Sequence, residues 1–459
     1  MSLLPLTAFE KYMVQDSHPG YEMTILMEYA FRGKINRDLL IEAYNRVVKF
    51  EPLFRAVLVK KGRNFFWDVD DQHQAPLTFE TSEKSIEESE GTRYMVTLNP
   101  EERCVQIIVR EYRDGVAIEI YIHHAVGDGI GVNQFFDDWM KEYDLLLHGI
   151  TETSTLNFRP DVDLFPRREE LHFVPKEKMS FSTKVYDIYH GIEQFFAHRV
   201  LPMLKEEKID KSNLSSTYPM YWRRFGQDFF LKYKAKAKSL GASVNTLMMR
   251  DMYITLRKWI EKYPVDDKSV ERQNRWFRML VPINIRTDFH RTIPCANIVG
   301  YIFNDKRPVD CDRSEPFLQS IQNNIAKCKK YNSGSTFNKV IKIFHKIPGV
   351  MSLMTSDKQC HCSVILSTVG NICKSSQQED YRTNDDVRID HDQYPLQLFR
   401  MLGAPPTRPH TPISVGVMQR QGEAFISCRY DLNTITEETM LEFYNMFVDE
   451  MMKSIEEEQ

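Results

Sequence analysis

The segment that most constrains this chain is a β-rich run ending in a histidine pair. Residues 116–122 (Val-Ala-Ile-Glu-Ile-Tyr-Ile) have strong strand composition and lead directly into His123-His124-Ala125-Val126-Gly127-Asp128-Gly129. Arg113-Asp114-Gly115 marks a hairpin turn from a preceding strand over 104–110. Beyond the glycines, 132–147 reads as a helix with Phe135, Phe136, Trp139, Tyr143 and Leu146 on its apolar side. Strand, tight loop and helix in that order can present side chains at the strand's carboxyl end.

Neighbouring strand residues point to opposite faces, so one histidine turns into the interior of its lobe and the other to the open side. The same geometry argues against a metal site, because two adjacent strand histidines cannot readily share one ion with Asp128. A histidine at a strand end in a dry cleft suits proton transfer near neutral pH. Gly127 and Gly129 are expected to let the backbone turn sharply and approach a ligand closely.

The rest of the chain alternates strands and helices. In the first half, strands are expected at 22–31, 56–59 and 65–69, and a helix at 39–50, capped by Asn36 or Asp38 and stopped by Pro52. Prolines at 160, 166 and 175 punctuate an irregular stretch, followed by an amphipathic pattern over 184–204. That helix suits packing on a neighbour better than lying on a membrane surface. The second half restarts with helices at 229–239, 244–263, 315–331 and 437–455 and strands at 279–283, 364–367, 415–418 and 424–430. Residues 1–175 are therefore read as an amino-terminal lobe, 176–216 as a linker and 217–459 as a carboxy-terminal lobe. The class is α/β (α+β): two lobes, each a mostly β-sheet core flanked by helices.

Composition narrows the function. With 60 basic and 64 acidic residues among 459, the formal charge is −4, which gives no electrostatic reason to expect nucleic acid. No run approaches the ~18 apolar residues that cross a bilayer, and the start lacks a signal core, so a cytoplasmic protein is expected. Eight scattered cysteines fit a reducing compartment. Cys360-His361-Cys362 with Cys373 nearby lacks the paired spacing of a zinc knuckle, and buried thiols are the better reading. Residues 344–354 could line an acyl channel or touch lipid, but ordinary Met-rich core is favoured. No serine elbow, phosphate loop or dinucleotide fingerprint occurs.

The run His123-His124-Ala125-Val126-Gly127-Asp128-Gly129 resembles the HHxxxDG signature of the chloramphenicol acetyltransferase-like superfamily, which includes condensation domains, wax ester synthases and polyketide-associated acyltransferases. Weaker likenesses follow in the family's order. Pro5-Leu6-Thr7 with Glu10 resembles its amino-terminal segment. Glu51-Pro52-Leu53-Phe54-Arg55 is similar to HPxLR, with Glu for His. Gly241-Ala242-Ser243-Val244-Asn245 is similar to GATVND, with Thr246 for Asp. Val281-Pro282-Ile283-Asn284-Ile285-Arg286 and Asn297 resemble VPxxxR…GN. Leu366-Ser367-Thr368-Val369-Gly370 resembles the SNxG strand, with Thr for Asn.

The resemblance implies two similar lobes with a tunnel at their interface, donor and acceptor entering from opposite faces. His124 would be the general base and His123 its support. Asp128 would point away from the tunnel and pair with Arg286 to hold the loop. Ser367, Thr368 and the Gly127 N–H are the candidate oxyanion donors. Asn245 and Asn297 belong to the same substrate-binding set, although capping a helix and bracing a loop suit them better. No metal and no tightly bound cofactor are implied; acyl-CoA or a phosphopantetheinyl thioester would be the cosubstrate.

The expected activity is transfer of an acyl group from acyl-CoA or an acyl carrier protein to a hydroxyl or amine, O-acyl over N-acyl, by a monomer. The length fits a free-standing unit with no second HHxxxDG. Peripheral membrane contact stays open. The substitutions at Glu51, Thr246 and Thr368 weigh against a wax ester synthase, and the plant-type DFGWG pattern is missing. A stand-alone condensation enzyme acting on carrier-bound partners, and a non-catalytic binding protein, are the alternatives.

Overall fold

The computed structural model describes residues 2–62, 64–150, 161–170, 198–205, 218–266, 274–288, 290, 292–331, 333–371 and 396–457. The amino-terminal half contributes strand β1 (Ser2–Pro5), helix α1 (Ala8–Gln15), β2 (Thr24–Arg32), α2 (Arg37–Val47), β3 (Ala56–Lys61), β4 (Asn64–Val69), β5 (Leu77–Thr81), β6 (Gly91–Met95), β7 (Val105–Tyr112), β8 (Gly115–His123) and α3 (Gly129–Leu147). From the second half come β9 (Tyr218–Phe225), α4 (Gln227–Ser239), α5 (Val244–Lys262), β10 (Phe277–Asn284), β11 (Val299–Lys306), α6 (Glu315–Tyr331), α7 (Ser333–Phe344), α8 (Val350–Met354), β12 (Val364–Asn371), β13 (Gln397–Ala404), β14 (Ile413–Arg420), β15 (Glu423–Tyr430) and α9 (Glu437–Glu456). The amphipathic pattern over 184–204 lies mostly outside the described residues.

Local chemistry explains the helix starts. Thr7 caps α1 in a capping box with Glu10, Asn36 accepts from the Leu39 N–H at α2, and Ser243 and Thr436 do the same for α5 and α9. Asn36, not Asp38, is thus the cap of α2, and the helix turns 3-10 at Val48–Phe50 before Pro52. Helix α3 begins at Gly129, three residues earlier than its apolar pattern, because Asp128 caps it.

Two large sheets form the lobes. The first runs β13-β2-β8-β7-β5 and the second β11-β10-β12-β14-β15-β9-β6, with a small sheet β1-β4-β3 beside them. Two strands cross between the segments 1–175 and 217–459: β6 pairs with β9 and β13 pairs with β2. Buried charge ties these crossings. Glu28 of β2 accepts from Arg400 of β13 at 2.7 Å and also meets Arg93 of β6, while Tyr121 donates to Glu119 at 2.8 Å. Helices α2 and α3 pack together in the first lobe, and α5 against α9 in the second. Each lobe has its own apolar core, centred on such residues as Trp139 and Ile120 in one and Trp259 and Phe443 in the other. Phe344, Met351 and Met354 are buried core residues, whereas Ile347 is exposed; none of them borders the central cavity.

Candidate active site

His123 ends β8, opposite Thr24 of β2, and is fully buried. The Ala125 N–H donates to its Nδ1 at 3.2 Å. Burial, with His124 beside it, pushes its pKa down to about 3, so the ring is neutral at physiological pH. One residue on, the chain leaves the strand. The His124 backbone N–H still donates to the Met23 carbonyl at 2.6 Å, but its half-buried ring borders a cavity between the lobes.

The His124 Nδ1 lies 3.0 Å from the Gly127 carbonyl oxygen. A carbonyl can only accept, so this contact calls for the proton on Nδ1 and leaves the lone pair on Nε2, with the Asn297 amide nitrogen near the same atom donating instead to the His124 carbonyl. Burial lowers the His124 pKa below the ordinary histidine value, partly offset by the Gly127 carbonyl and the Asp128 charge. At neutral pH the ring is therefore a base rather than an imidazolium.

Asp128 builds the loop. Its Oδ1 accepts from the N–H groups of Ile130 (3.0 Å) and Gly131 (2.9 Å), and its Oδ2 accepts from Arg286 Nη1 (2.8 Å) and the Ile298 N–H (2.7 Å). Burial alone would raise its pKa, but the Arg286 guanidinium and the backbone N–H groups of Gly131 and Ile298 hold it below the usual carboxylate value. Both Asp128 and Arg286 border the cavity, although the carboxylate is committed to four donors.

The segment 295–298 acts as a strap across this loop. Ala296 gives its carbonyl to Arg286 Nη2 at 2.8 Å, and Asn297 donates its amide to the His124 carbonyl while lying 3.2 Å from the His124 Nδ1. The Cys295 N–H donates to Glu51 Oε2 at 2.7 Å. Glu51 is buried, which pushes its carboxyl up to about 8 against the opposing pull of that N–H. The sequence marked Glu51 only as a departure from a motif; an acid between Phe50 and Pro52 in an apolar stretch was the available signal.

Neither Gly127 nor Gly129 adopts a positive φ. The requirement at Gly127 is space: an added Cβ would sit 2.8 Å from Ile122 Cδ1 and 3.0 Å from Cys295 Sγ. Gly131, which the sequence reading passed over, is tighter, at 2.8 Å from Cys295 Sγ and 3.0 Å from both the Ala296 oxygen and Arg286 Nη2.

The cavity has a volume of about 250 Å³ and lies between the sheets. Apolar side chains such as Met27, Ile283, Val299 and Val417 make up much of its wall. Ser367 and Thr368 of β12 also border it. The Thr368 hydroxyl donates to Asn245 Oδ1 at 2.7 Å, which commits its proton, while Ser243 rather than Asn245 caps α5. The structure thus brings His124, Asp128, Arg286, Asn297, Gly127, Ser367 and Thr368 to one region and sets Asn245 behind Thr368. In the Cys360-His361-Cys362 run, Cys360 Sγ lies 3.2 Å from the Cys362 carbonyl and His361 Nε2 lies 3.2 Å from the Ser356 carbonyl. Among the described residues no cluster of His, Cys, Asp and Glu could hold a metal ion; Cys373 lies outside them.

Two lobes, exchanged strands and a histidine loop on an interlobe cavity define the chloramphenicol acetyltransferase-like fold of condensation domains. The chain is similar to the first condensation domain of the CDA synthetase, with a TM-score of 0.70 and 10% identity over 99% of this chain and 96% of that one. It is likewise similar to the SgcC5 protein from Streptomyces globisporus, with a TM-score of 0.65 and 14% identity over 98% of each chain. Against the nonribosomal peptide synthetase FmoA3 the TM-score is 0.62 at 13% identity; all of this chain is covered, but only 43% of that longer one. At these identities the likeness is one of fold. No family model matches the chain, and no curated protein matches it in sequence. Among the described residues, no helix is long and apolar enough to cross a membrane.

Proposed function

We propose that the chain is an acyltransferase that moves an acyl group from a thioester donor, acyl-CoA or a carrier-bound phosphopantetheinyl thioester, to a hydroxyl or amine, with O-acyl transfer the principal reaction. The observation that carries this reading is the pinned tautomer of His124. Its Nδ1 is held by the Gly127 carbonyl, so Nε2 is the basic nitrogen, on a ring that borders the cavity.

In this reading Nε2 takes the proton of the acceptor as its oxygen or nitrogen attacks the thioester carbonyl. The Ser367 hydroxyl donates to the developing oxyanion, because the Thr368 proton is spent on Asn245. Collapse of the tetrahedral intermediate breaks the C–S bond, and the imidazolium returns its proton to the departing thiolate. No covalent enzyme intermediate and no tightly bound cofactor are needed. The apolar wall keeps water from the thioester and holds two substrates together. A single chain suffices for every group named, which fits a monomer, and the thiols fit a cytoplasmic setting. The test is a thiol-release screen of acyl-CoAs of varied length against mixed alcohols and amines, read by mass spectrometry, with His124→Ala as the control. Turnover that survives in His124→Ala would overturn the assignment.

The fold favours one second reading, a condensation enzyme that forms an amide between carrier-bound partners, since the CDA synthetase and FmoA3 neighbours carry that fold. Turnover of carrier-bound thioesters, with none of acyl-CoA, selects it.

A further inference from the structure

The cavity has a second polar pole besides His124. Asp16, Arg408, Tyr12 and Tyr301 all border it, yet none belongs to the histidine loop or its strap. Asp16 caps the carboxyl end of α1, where a negative charge opposes the helix dipole. Only 1% of Asp16 and 5% of Arg408 is exposed, and a guanidinium NH2 of Arg408 donates to Asp16 Oδ1. Burying such a pair in an apolar wall costs desolvation energy that the pairing alone does not reliably recover.

The pair is left partly unsatisfied. Among the described residues, Arg408 Nε is buried with no hydrogen-bond partner, as is the Nε2 of His18. The Tyr301 hydroxyl donates to the sulfur of Met13 at a long 3.9 Å. Arg408 is also held rigidly, in a β-bridge with Thr411 across a turn in which His410 takes a φ of +61°. A built, buried polar pole on a cavity whose wall is largely apolar is what orientation of a ligand requires.

Charge decides the class of ligand. Asp16 and Arg408 sum to zero, and burial holds the neighbouring His361 down to about 3 and hence neutral. A carboxylate or ammonium group placed here would bury a net charge. A neutral carboxamide matches both partners at once, its oxygen accepting from the guanidinium and its N–H donating to the carboxylate. We propose that Asp16 and Arg408 form a specificity pole that selects a substrate with an apolar body and a neutral carboxamide at the end remote from the reacting atom. This rests on the reading of the cavity as the substrate site, and either the acceptor or the acyl chain could bring the group.

The test measures binding to the full chain by calorimetry, so it does not depend on turnover. One arm compares ω-hydroxy carboxamides, ω-hydroxy carboxylates and plain alcohols of six to twelve carbons. The other compares CoA thioesters of dicarboxylic half-amides with plain acyl-CoAs. The carboxamide is expected to bind tighter than the plain chain by about tenfold to a hundredfold in one arm, the factor that one or two charge-assisted hydrogen bonds supply. That arm identifies the source. The preference should vanish in Arg408→Met and in Asp16→Asn/Arg408→Met, the second of which leaves no buried charge unpaired should the first fail to fold. Equal binding of amide and plain chain in both arms, a stronger carboxylate, or a preference unchanged in the variants overturns the proposal. Amide selection without any acyl transfer would keep the pole and remove the acyltransferase reading.

Discussion

The Asp128 carboxylate meets the Arg286 guanidinium at 2.8 Å, joining the loop after β8 to the end of β10 in the other half of the chain. Both side chains are more than nine-tenths buried, so neither charge has water to fall back on. Removing one partner strands the other, a loss of about 3–5 kcal/mol. Asp128→Ala should therefore lower both the melting temperature and the rate of acyl transfer, as calorimetry and the thiol-release assay will read. A variant with wild-type stability would mean that the pair does not hold the loop.

His124→Ala should behave differently. The ring borders the cavity and its loss exposes no buried charge, so the melting temperature should stay close to wild type. Acyl transfer should fall by about 10²–10⁴, the usual worth of a positioned general base. A large drop in both would make the residue structural.

The acidic limb of kcat/KM should report the His124 ring. Because burial holds its pKa below the ordinary histidine value of 6.5, activity should rise with pH and level off before neutrality. A limb centred above pH 7 would contradict a neutral resting base.

Glu51 gives a stability signature of its own. Its carboxyl is raised from 4.5 to about 8, so between those values the folded chain keeps a proton that the unfolded chain has released. Its contribution to stability is full below pH 4.5 and is lost as pH rises towards 8, with a slope of up to about 1.4 kcal/mol per pH unit. Glu51→Gln retains an acceptor for the Cys295 N–H and should flatten that part of the profile relative to wild type in urea titrations. Parallel profiles would show that Glu51 is ionised.

Gly131→Ala should cost about 1–3 kcal/mol by overpacking, since its Cβ meets Cys295, Ala296 and Arg286 together. Displacement of the strap should also slow acyl transfer. Unchanged denaturation and kinetics would show that the strap can yield.

Motif residues close in sequence were legible because their geometry is local. Alternation at a strand end separates His123 from His124 whatever the rest of the chain does, and Asp128 caps the helix that follows it. Arg286, Asn297 and Ser367 could be named only through resemblance to a family. The contacts of Arg286 and Asn297 with the loop span more than 150 residues, and no local periodicity records such pairings.

The chain's order of residues by itself determined the strand–loop–helix around the histidines, most of the helices with their caps, and the α/β class, since these follow from propensity and spacing within one element. Tertiary structure alone decided which strands cross between the lobes, that Cys295–Ile298 straps the loop through Glu51, and that Asp16 meets Arg408 across 392 residues. Strand pairing and the burial of charge depend on what the folded chain places alongside each residue. For β6 and β13 that partner belongs to the opposite half of the chain, beyond the reach of any local pattern.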